Sequence, residues 1–264
     1  MQIDFVPLFS GSSGNAIYIR AADTRILVDA GVSASRVANE LEKIGVEAGM
    51  LDAIVITHEH SDHVSGVGVL SRRHMVPLYA TEGTWSAMNG KLGKLLGANR
   101  RVVEPGRDFY VGDMAITPFS IPHDASQPVG YTVSVRGVKF AVATDIGHMT
   151  GDIINCLDGS HAIVLESNHD VEMLKAGRYP YELKRRILGH KGHLSNDAAA
   201  QAAVELAARG VRHIILGHLS AENNHPSLAI QTVKAAVENA GLAGNTAIDI
   251  AGRDGISAVY HFEV

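Results

Sequence analysis

Ala53-Ile54-Val55-Ile56-Thr57-His58-Glu59-His60-Ser61-Asp62-His63 is the stretch on which the reading of this chain turns. A short apolar, β-branched run predicts a buried strand over Ala53 to Thr57. Four side chains able to bind a metal then follow within six residues. Imidazole nitrogen and carboxylate oxygen are zinc ligands, with bonds of about 2.0–2.2 Å. In an extended turn, residues two apart project to one side, so His58 and His60 can grip one ion. Asp62 and His63, one turn on, can face a second. The bland alternative is a surface loop that happens to be rich in histidine. Three histidines and an aspartate at a strand end rarely answer a packing need.

Three later positions repeat the pattern of a polar ligand just past an apolar strand: His123 in Ile121-Pro-His-Asp124, Asp145 in Val142-Ala-Thr-Asp145, and His218 in Ile214-Ile-Leu-Gly-His218. One such residue alone would more often be a cap or a turn residue. The recurrence matters because loops at one edge of a sheet converge in space.

Around these points the chain alternates short apolar runs with helical patterns. Ile3 to Phe9, Ala16 to Ile19 and Arg25 to Val28 read as strands between turn signals. Ser33 caps a helical pattern through Val37, Leu41 and Ile44, ended by Gly45. Val76 to Ala80, Met114 to Ile121, Val129 to Val135 and Val138 to Ala143 read as further strands. Helices are expected at Asn196 to Arg209 and Ser227 to Ala240, with a strand at His213 to Leu216 between them and a strand-like end at Ile256 to Phe262. Trp85 with Leu92, Leu95 and Leu96 reads as helix packing. Strands then helices, twice over, predict an α/β (α+β) fold of four layers, αββα, in which two stacked mixed sheets are flanked by helices. One domain over residues 1–264 is expected, its two halves meeting near Gly137.

Composition narrows the class. At 264 residues the chain can bury a sizeable core, and 46% hydrophobic with 19% charged residues is a globular balance. A net charge of −5 argues against nucleic-acid binding through global charge alone and leaves a local basic patch open. The single cysteine, Cys156, excludes a disulfide framework and a cysteine-based zinc cluster. The start, Met1-Gln-Ile-Asp-Phe5, lacks the positive charge of a secretory signal, and no run approaches the roughly 20 apolar residues of a membrane span. A cytoplasmic protein with no membrane partner is the expectation. The 14 histidines are the unusual feature of the composition.

His58-x-His60-x-Asp62-His63, followed in order by His123, Asp145 and His218, resembles the metallo-β-lactamase fold superfamily, over nearly the whole chain. The resemblance implies that His58, His60 and His123 hold one metal, that Asp62, His63 and His218 hold a second, and that Asp145 bridges both. True β-lactamases of this fold place a cysteine where this chain has Asp145, which disfavours β-lactam hydrolysis. Further phrases resemble the bacterial YycJ (WalJ)-like branch: Ser10-Gly-Ser-Ser-Gly-Asn15, Asp29-Ala-Gly31, Ala143-Thr-Asp-Ile-Gly-His148, Leu165-Glu-Ser-Asn-His-Asp170, Gly192-His-Leu-Ser-Asn196 and Leu216-Gly-His-Leu-Ser220. That branch implies a phosphodiesterase acting on DNA as a 5′-to-3′ exonuclease, related to RNase Z-type enzymes. Zinc is the default metal, and manganese or iron accept the same ligands.

Asp62 and His193 are the expected catalytic residues, Asp62 to orient the attacking group and His193 to protonate the leaving alkoxide. The neutral reading of His193 is a neighbour of the helix cap at Ser195 or Asn196. Ser13, Asn15, His148, Asn168, Lys191 and Ser195 are candidate substrate contacts, with a tight hairpin as the plainer role for Ser13 and Asn15. Asp29 is expected to accept a histidine N–H. Lys175 to His193 is the best basic patch, with Tyr179 and Tyr181 interleaved. It would track phosphates, or else be a solvated helix face with its tyrosines half in the core. A glyoxalase II-like thioester hydrolase is the alternative function, and a non-catalytic metal-binding scaffold a third. The oligomeric state stays open, with a homodimer among the options.

Overall fold

The computed structural model describes residues 1–264. In chain order it opens with β1 (Gln2–Phe9), β2 (Ala16–Ala21), β3 (Thr24–Val28), α1 (Ala34–Lys43), β4 (Ala53–Val55), α2 (Ser61–Val64), α3 (Val67–His74) and β5 (Leu78–Ala80). Next come α4 (Glu82–Ala87), β6 (Arg100–Val102), β7 (Phe109–Val111), β8 (Met114–Ser120), β9 (Val129–Val135) and β10 (Val138–Ala143). The remainder is α5 (Gly151–Leu157), β11 (Ala162–Glu166), α6 (Val171–Ala176), α7 (Tyr181–Ile187), α8 (Asn196–Ala208), β12 (His213–Gly217), α9 (Pro226–Asn239), β13 (Ala247–Ile250) and β14 (Tyr260–Glu263). The chain divides into two compact units. One comprises Met1–Ser120, Ala125–Gly137 and Gly252–Val264, the other Ile121–Asp124 and Val138–Ala251.

The first unit carries a sheet of order β14-β1-β2-β3-β4-β5-β6, and the antiparallel ribbon β7-β8-β9. β1 is buried along nearly its whole length, and its register slips between Pro7 and Phe9, where proline has no N–H for the ladder. From β3 to β6 the pairing is parallel. α1 begins at Ser33, whose hydroxyl accepts from the Arg36 N–H, and presents Val37 and Leu41 to a core with Leu8, Tyr18, Leu27 and Ile54.

Two strands are shorter than the apolar pattern suggests. β4 stops at Val55 because the Thr57 N–H is taken by the Asp29 carboxylate, which removes it from the ladder. β5 starts at Leu78 because Pro77 cannot donate. The expected helix through Leu92, Leu95 and Leu96 is a loop. Gly90 (φ 76°) and Gly93 (φ 71°) take the left-handed conformation on either side of Leu92, which stops helical propagation. The segment after Gly252 forms turns, and only Tyr260–Glu263 pairs with β1.

Gly31 fixes the loop after β3 against the turn that carries Asp62. A Cβ at Gly31 would lie 1.6 Å from the Asp62 carbonyl oxygen, a backbone atom held in place by the Asn15 N–H. Gly31→Ala is therefore expected to lower stability by about 3 kcal/mol or more, since neither backbone can yield without moving α2. Urea denaturation monitored by far-ultraviolet circular dichroism measures this.

The second unit is built on four parallel strands in the order β13-β12-β11-β10. β11 is buried throughout and β12 along all but its first residue, the continuous apolar reading of a parallel sheet covered on both faces. α8 is rich in alanine, with Ala199, Ala202, Ala203 and Ala207 buried, and these small side chains let it pack on α9. The pairings Ala143↔Leu165 and Leu165↔Leu216 bring the carboxyl ends of β10, β11 and β12 level. Asp145, Glu166 and His218 sit at or just past those ends, where open parallel sheets place their ligand sites.

Candidate metal centre

In the first unit the pairing Val28↔Val55 sets Asp29 beside the residues leading to His58. Asp29 Oδ1 accepts the Thr57 N–H at 2.8 Å, and Oδ2 accepts the Thr57 hydroxyl and His63 Nδ1–H, both at 2.7 Å. With its own proton given to Asp29, the Thr57 oxygen accepts from His58 Nδ1–H at 3.0 Å. Both rings are fully buried, and both are thereby held with the proton on Nδ1 and the lone pair on Nε2. His58 Nε2 lies 3.0 Å from His60 Nδ1. His60 is the residue before α2, and Asp62 and His63 occupy that helix's first turn.

In the second unit Glu166 is the organiser. It is fully buried at the end of β11 and receives four hydrogen bonds. His193 Nδ1–H and His218 Nδ1–H donate to Oε1 at 2.8 and 2.7 Å, and the Ile146 and Leu194 N–H groups donate to Oε2 at 2.8 and 3.1 Å. Burial by itself would raise its pKa. The charges and hydrogen bonds of His193 and His218 outweigh burial and hold the group well below the usual carboxylate range. Burial disfavours charge on His193 too, yet Glu166 at its Nδ1 raises its pKa overall. His123 donates Nδ1–H to the Gly192 carbonyl at 3.2 Å, and burial lowers its pKa. Asp145 Oδ1 lies 3.5 Å from His218 Nδ1, 3.7 Å from His123 Nε2 and 3.8 Å from His193 Nδ1. Asp29, Asp145 and His218 have φ of 62°, 60° and 55°. Three non-glycine residues in the left-handed region, each at a strand end of the site, mark strain of about 1–3 kcal/mol apiece that the surrounding fold overcomes.

All seven expected ligands belong to groups of side chains able to hold a metal ion. Four of their five histidines, His58, His63, His123 and His218, have Nδ1 engaged by an oxygen. That second bond fixes the tautomer and directs the Nε2 lone pair outward, as in metal-ligating histidines. The donor set therefore fits a divalent cation. Glu166 was not read from the sequence; the signal available was an acid directly after the apolar run Ala162-Ile-Val-Leu165.

The expected substrate contacts divide. Asn15 and Asn168 are buried and serve the protein's own framework, contrary to expectation. Asn15 Nδ2 donates to the Asp62 carbonyl at 3.3 Å and lies 3.2 Å from His63 Nε2, and Asn168 Nδ2 donates to the His218 carbonyl at 2.9 Å. Ser13, His148 and Lys191 are exposed, with His148 Nδ1–H on the His190 carbonyl. Ser195 caps α8 through the Ala198 N–H. In the basic stretch, Arg186 pairs with Asp124, Lys184 caps the Lys175 and Gly177 carbonyls and Lys175 pairs with Glu172 at 2.8 Å, while Arg178 is exposed. Tyr179 is half-buried, but Tyr181 is 70% exposed with Arg185 over its ring, so it does not belong to the core.

His169 is 1% exposed, and neither ring nitrogen has a hydrogen-bond partner. Burial lowers its pKa to about 4. Between about pH 6.5 and 4 the unfolded chain binds a proton here that the native state does not, so stability falls as pH falls through that window. Relative to His169→Phe, the wild-type protein is expected to lose about 3 kcal/mol across this window, read from urea midpoints at each pH.

Strand ends carrying histidine and carboxylate in this pattern define a divalent-metal hydrolase of the metallo-β-lactamase fold. The chain belongs to the β-lactamase superfamily domain family, whose pattern matches residues 24–219. It is 37% identical over 250 residues to the exodeoxyribonuclease YycJ of Bacillus anthracis, covering 95% of each chain. It is 42% identical over 228 residues to the exodeoxyribonuclease WalJ of Streptococcus pneumoniae, covering 86% of this chain and 85% of that one. Its fold matches the metallo-β-lactamase fold protein YhfI of Bacillus subtilis with a TM-score of 0.73 at 15% identity, over 99% of this chain and all of that one. No helix is long and apolar enough to cross a membrane.

Proposed function

We propose that this chain is a cytoplasmic exodeoxyribonuclease that shortens DNA from a 5′ end, residues 1–264 acting as one domain. The observation that carries the reading is the 37% identity to an exodeoxyribonuclease along 95% of both chains. The hydrogen-bonded histidines support its chemistry. His58, His60 and His123 would hold one cation, Asp62, His63 and His218 a second, and Asp145 would bridge them. Zinc suits this imidazole and carboxylate set, and manganese or iron would be accepted. When bound, the cations would supply an activated water at neutral pH and charge to neutralise the phosphate oxygens.

The chain's own groups do the rest. Asp62 orients the attacking water. His193 has Nδ1 engaged by Glu166, so the transferable proton resides on Nε2 and passes to the leaving 3′ oxygen as the phosphodiester opens. The exposed Arg178 and Lys191 offer charge to the phosphates beyond the scissile one.

The test pairs metal analysis of the purified protein with digestion of DNA labelled at either end, single- and double-stranded, with and without added manganese. Two metals per chain and stepwise loss from the 5′ end support the reading. Two metals with thioester turnover and no cleavage of nucleic acid would transfer the protein to the glyoxalase II-like class.

A further inference from the structure

A cavity of about 440 Å³ opens beside His193, walled by Ile154, Leu188, Leu194 and Ala198, with His169 and Gln201 among its polar lining. Its volume is in the range of about 300–1,000 Å³ that small-molecule sites occupy. His193 thus belongs both to the Glu166 cluster and to this wall. Resting on the nuclease reading above, we propose that the cavity is a nucleobase subsite, in which His169 and Gln201 hydrogen-bond the edge of a base adjoining the scissile phosphate.

Three observations on this cavity agree. His169 is a buried imidazole with both ring nitrogens unsatisfied, although buried polar groups in folded proteins are normally paired. Held neutral by burial, it offers one donor and one acceptor, the complement of a heterocycle's edge. The lining contains no lysine or arginine, so no permanently charged cation in it would draw in a phosphate. The aliphatic walls suit the flat face of a base. Ser195 at the head of α8 and the His193 ring are also part of the lining.

The experiment compares an oligodeoxynucleotide with the same strand carrying an abasic tetrahydrofuran residue at the end that is attacked. The wild-type enzyme is expected to prefer the intact end by about tenfold in kcat/KM, mostly through KM, the worth of one well-placed base contact. His169→Phe is expected to reduce that ratio to near one. A ratio near one in the wild type, or a tenfold ratio retained in His169→Phe, overturns the subsite while DNA cleavage keeps the nuclease reading. Hydrolysis of bis(p-nitrophenyl) phosphate without cleavage of any DNA overturns the nuclease reading. A check that needs no variant uses wild-type protein labelled with ¹⁵N-histidine. 2′-Deoxyadenosine is expected to shift the His169 ring nitrogens and 2-deoxyribose is not; no shift, or equal shifts, overturns the subsite whatever the fate of the nuclease reading.

Discussion

Asp145→Ala is expected to lower kcat by about 10³-fold or more on both DNA and bis(p-nitrophenyl) phosphate, with the fold intact. Asp145 is 2% exposed, and its Oδ1 lies within 3.8 Å of nitrogens on His123, His193 and His218. In the proposed arrangement, removing the carboxylate takes away the anion that would join the cation at His123 to the cation at His218. The backbone consequence is smaller. Position 145 has φ of 60°, which aspartate tolerates better than alanine, so about 1 kcal/mol of the stability change belongs to conformation alone. Asp145→Asn separates the two effects, because asparagine keeps the volume and the left-handed tolerance and loses only the charge. It is expected to fold like the wild type and to be as inactive as the alanine variant, with bound metal reduced in both. Steady-state rates, metal content by mass spectrometry and urea midpoints check this together. An Asp145→Asn protein with more than about a tenth of wild-type activity would show that Asp145 is not a ligand.

The side chains that lie together in groups able to hold a metal ion were legible in the sequence because metal chemistry demands rare residue types, and the strands that present them are bracketed by turn signals. His58 to His63 follow a run that can only be a buried strand, and Asp145 and His218 end runs of the same kind. What orients the ligands was legible only in part. Asp29 could be expected to accept a histidine N–H, since it ends a strand beside the ligand loop. Glu166 could not, since an acid after Ala162-Ile-Val-Leu165 reads equally as the polar stop of a strand, and its burial is a tertiary fact. Asn15 reads as a turn residue, and its amide on His63 depends on Gly31 letting two loops meet closer than any Cβ allows. The Leu92, Leu95 and Leu96 spacing misled because glycines at 90 and 93 adopt left-handed backbone that the apolar pattern does not reveal.

Glu166→Gln is expected to cost less on an activated substrate than on DNA, and that inequality separates the two jobs assigned to this residue. Glutamine has the same shape, but one of its two terminal atoms is a donor. The carboxylate accepts two imidazole N–H groups on Oε1 and two backbone N–H groups on Oε2, so either orientation of the amide sets an NH₂ against two donors. His218 then loses the bond that fixes its tautomer, which is expected to weaken metal binding about 10–100-fold. His193 loses the group that raises its pKa and holds its Nδ1 proton, so less of it is protonated on both nitrogens near neutral pH. Added metal repairs the first loss and not the second. A p-nitrophenolate leaves without a proton, whereas the 3′ alkoxide of DNA does not. With saturating metal, Glu166→Gln is therefore expected to hydrolyse bis(p-nitrophenyl) phosphate within about tenfold of the wild type and DNA about 10²–10³-fold more slowly. His193→Ala is expected to show the same split with metal affinity unchanged. Equal losses on the two substrates at saturating metal would remove His193 as the proton donor and leave Glu166 only its hold on His218.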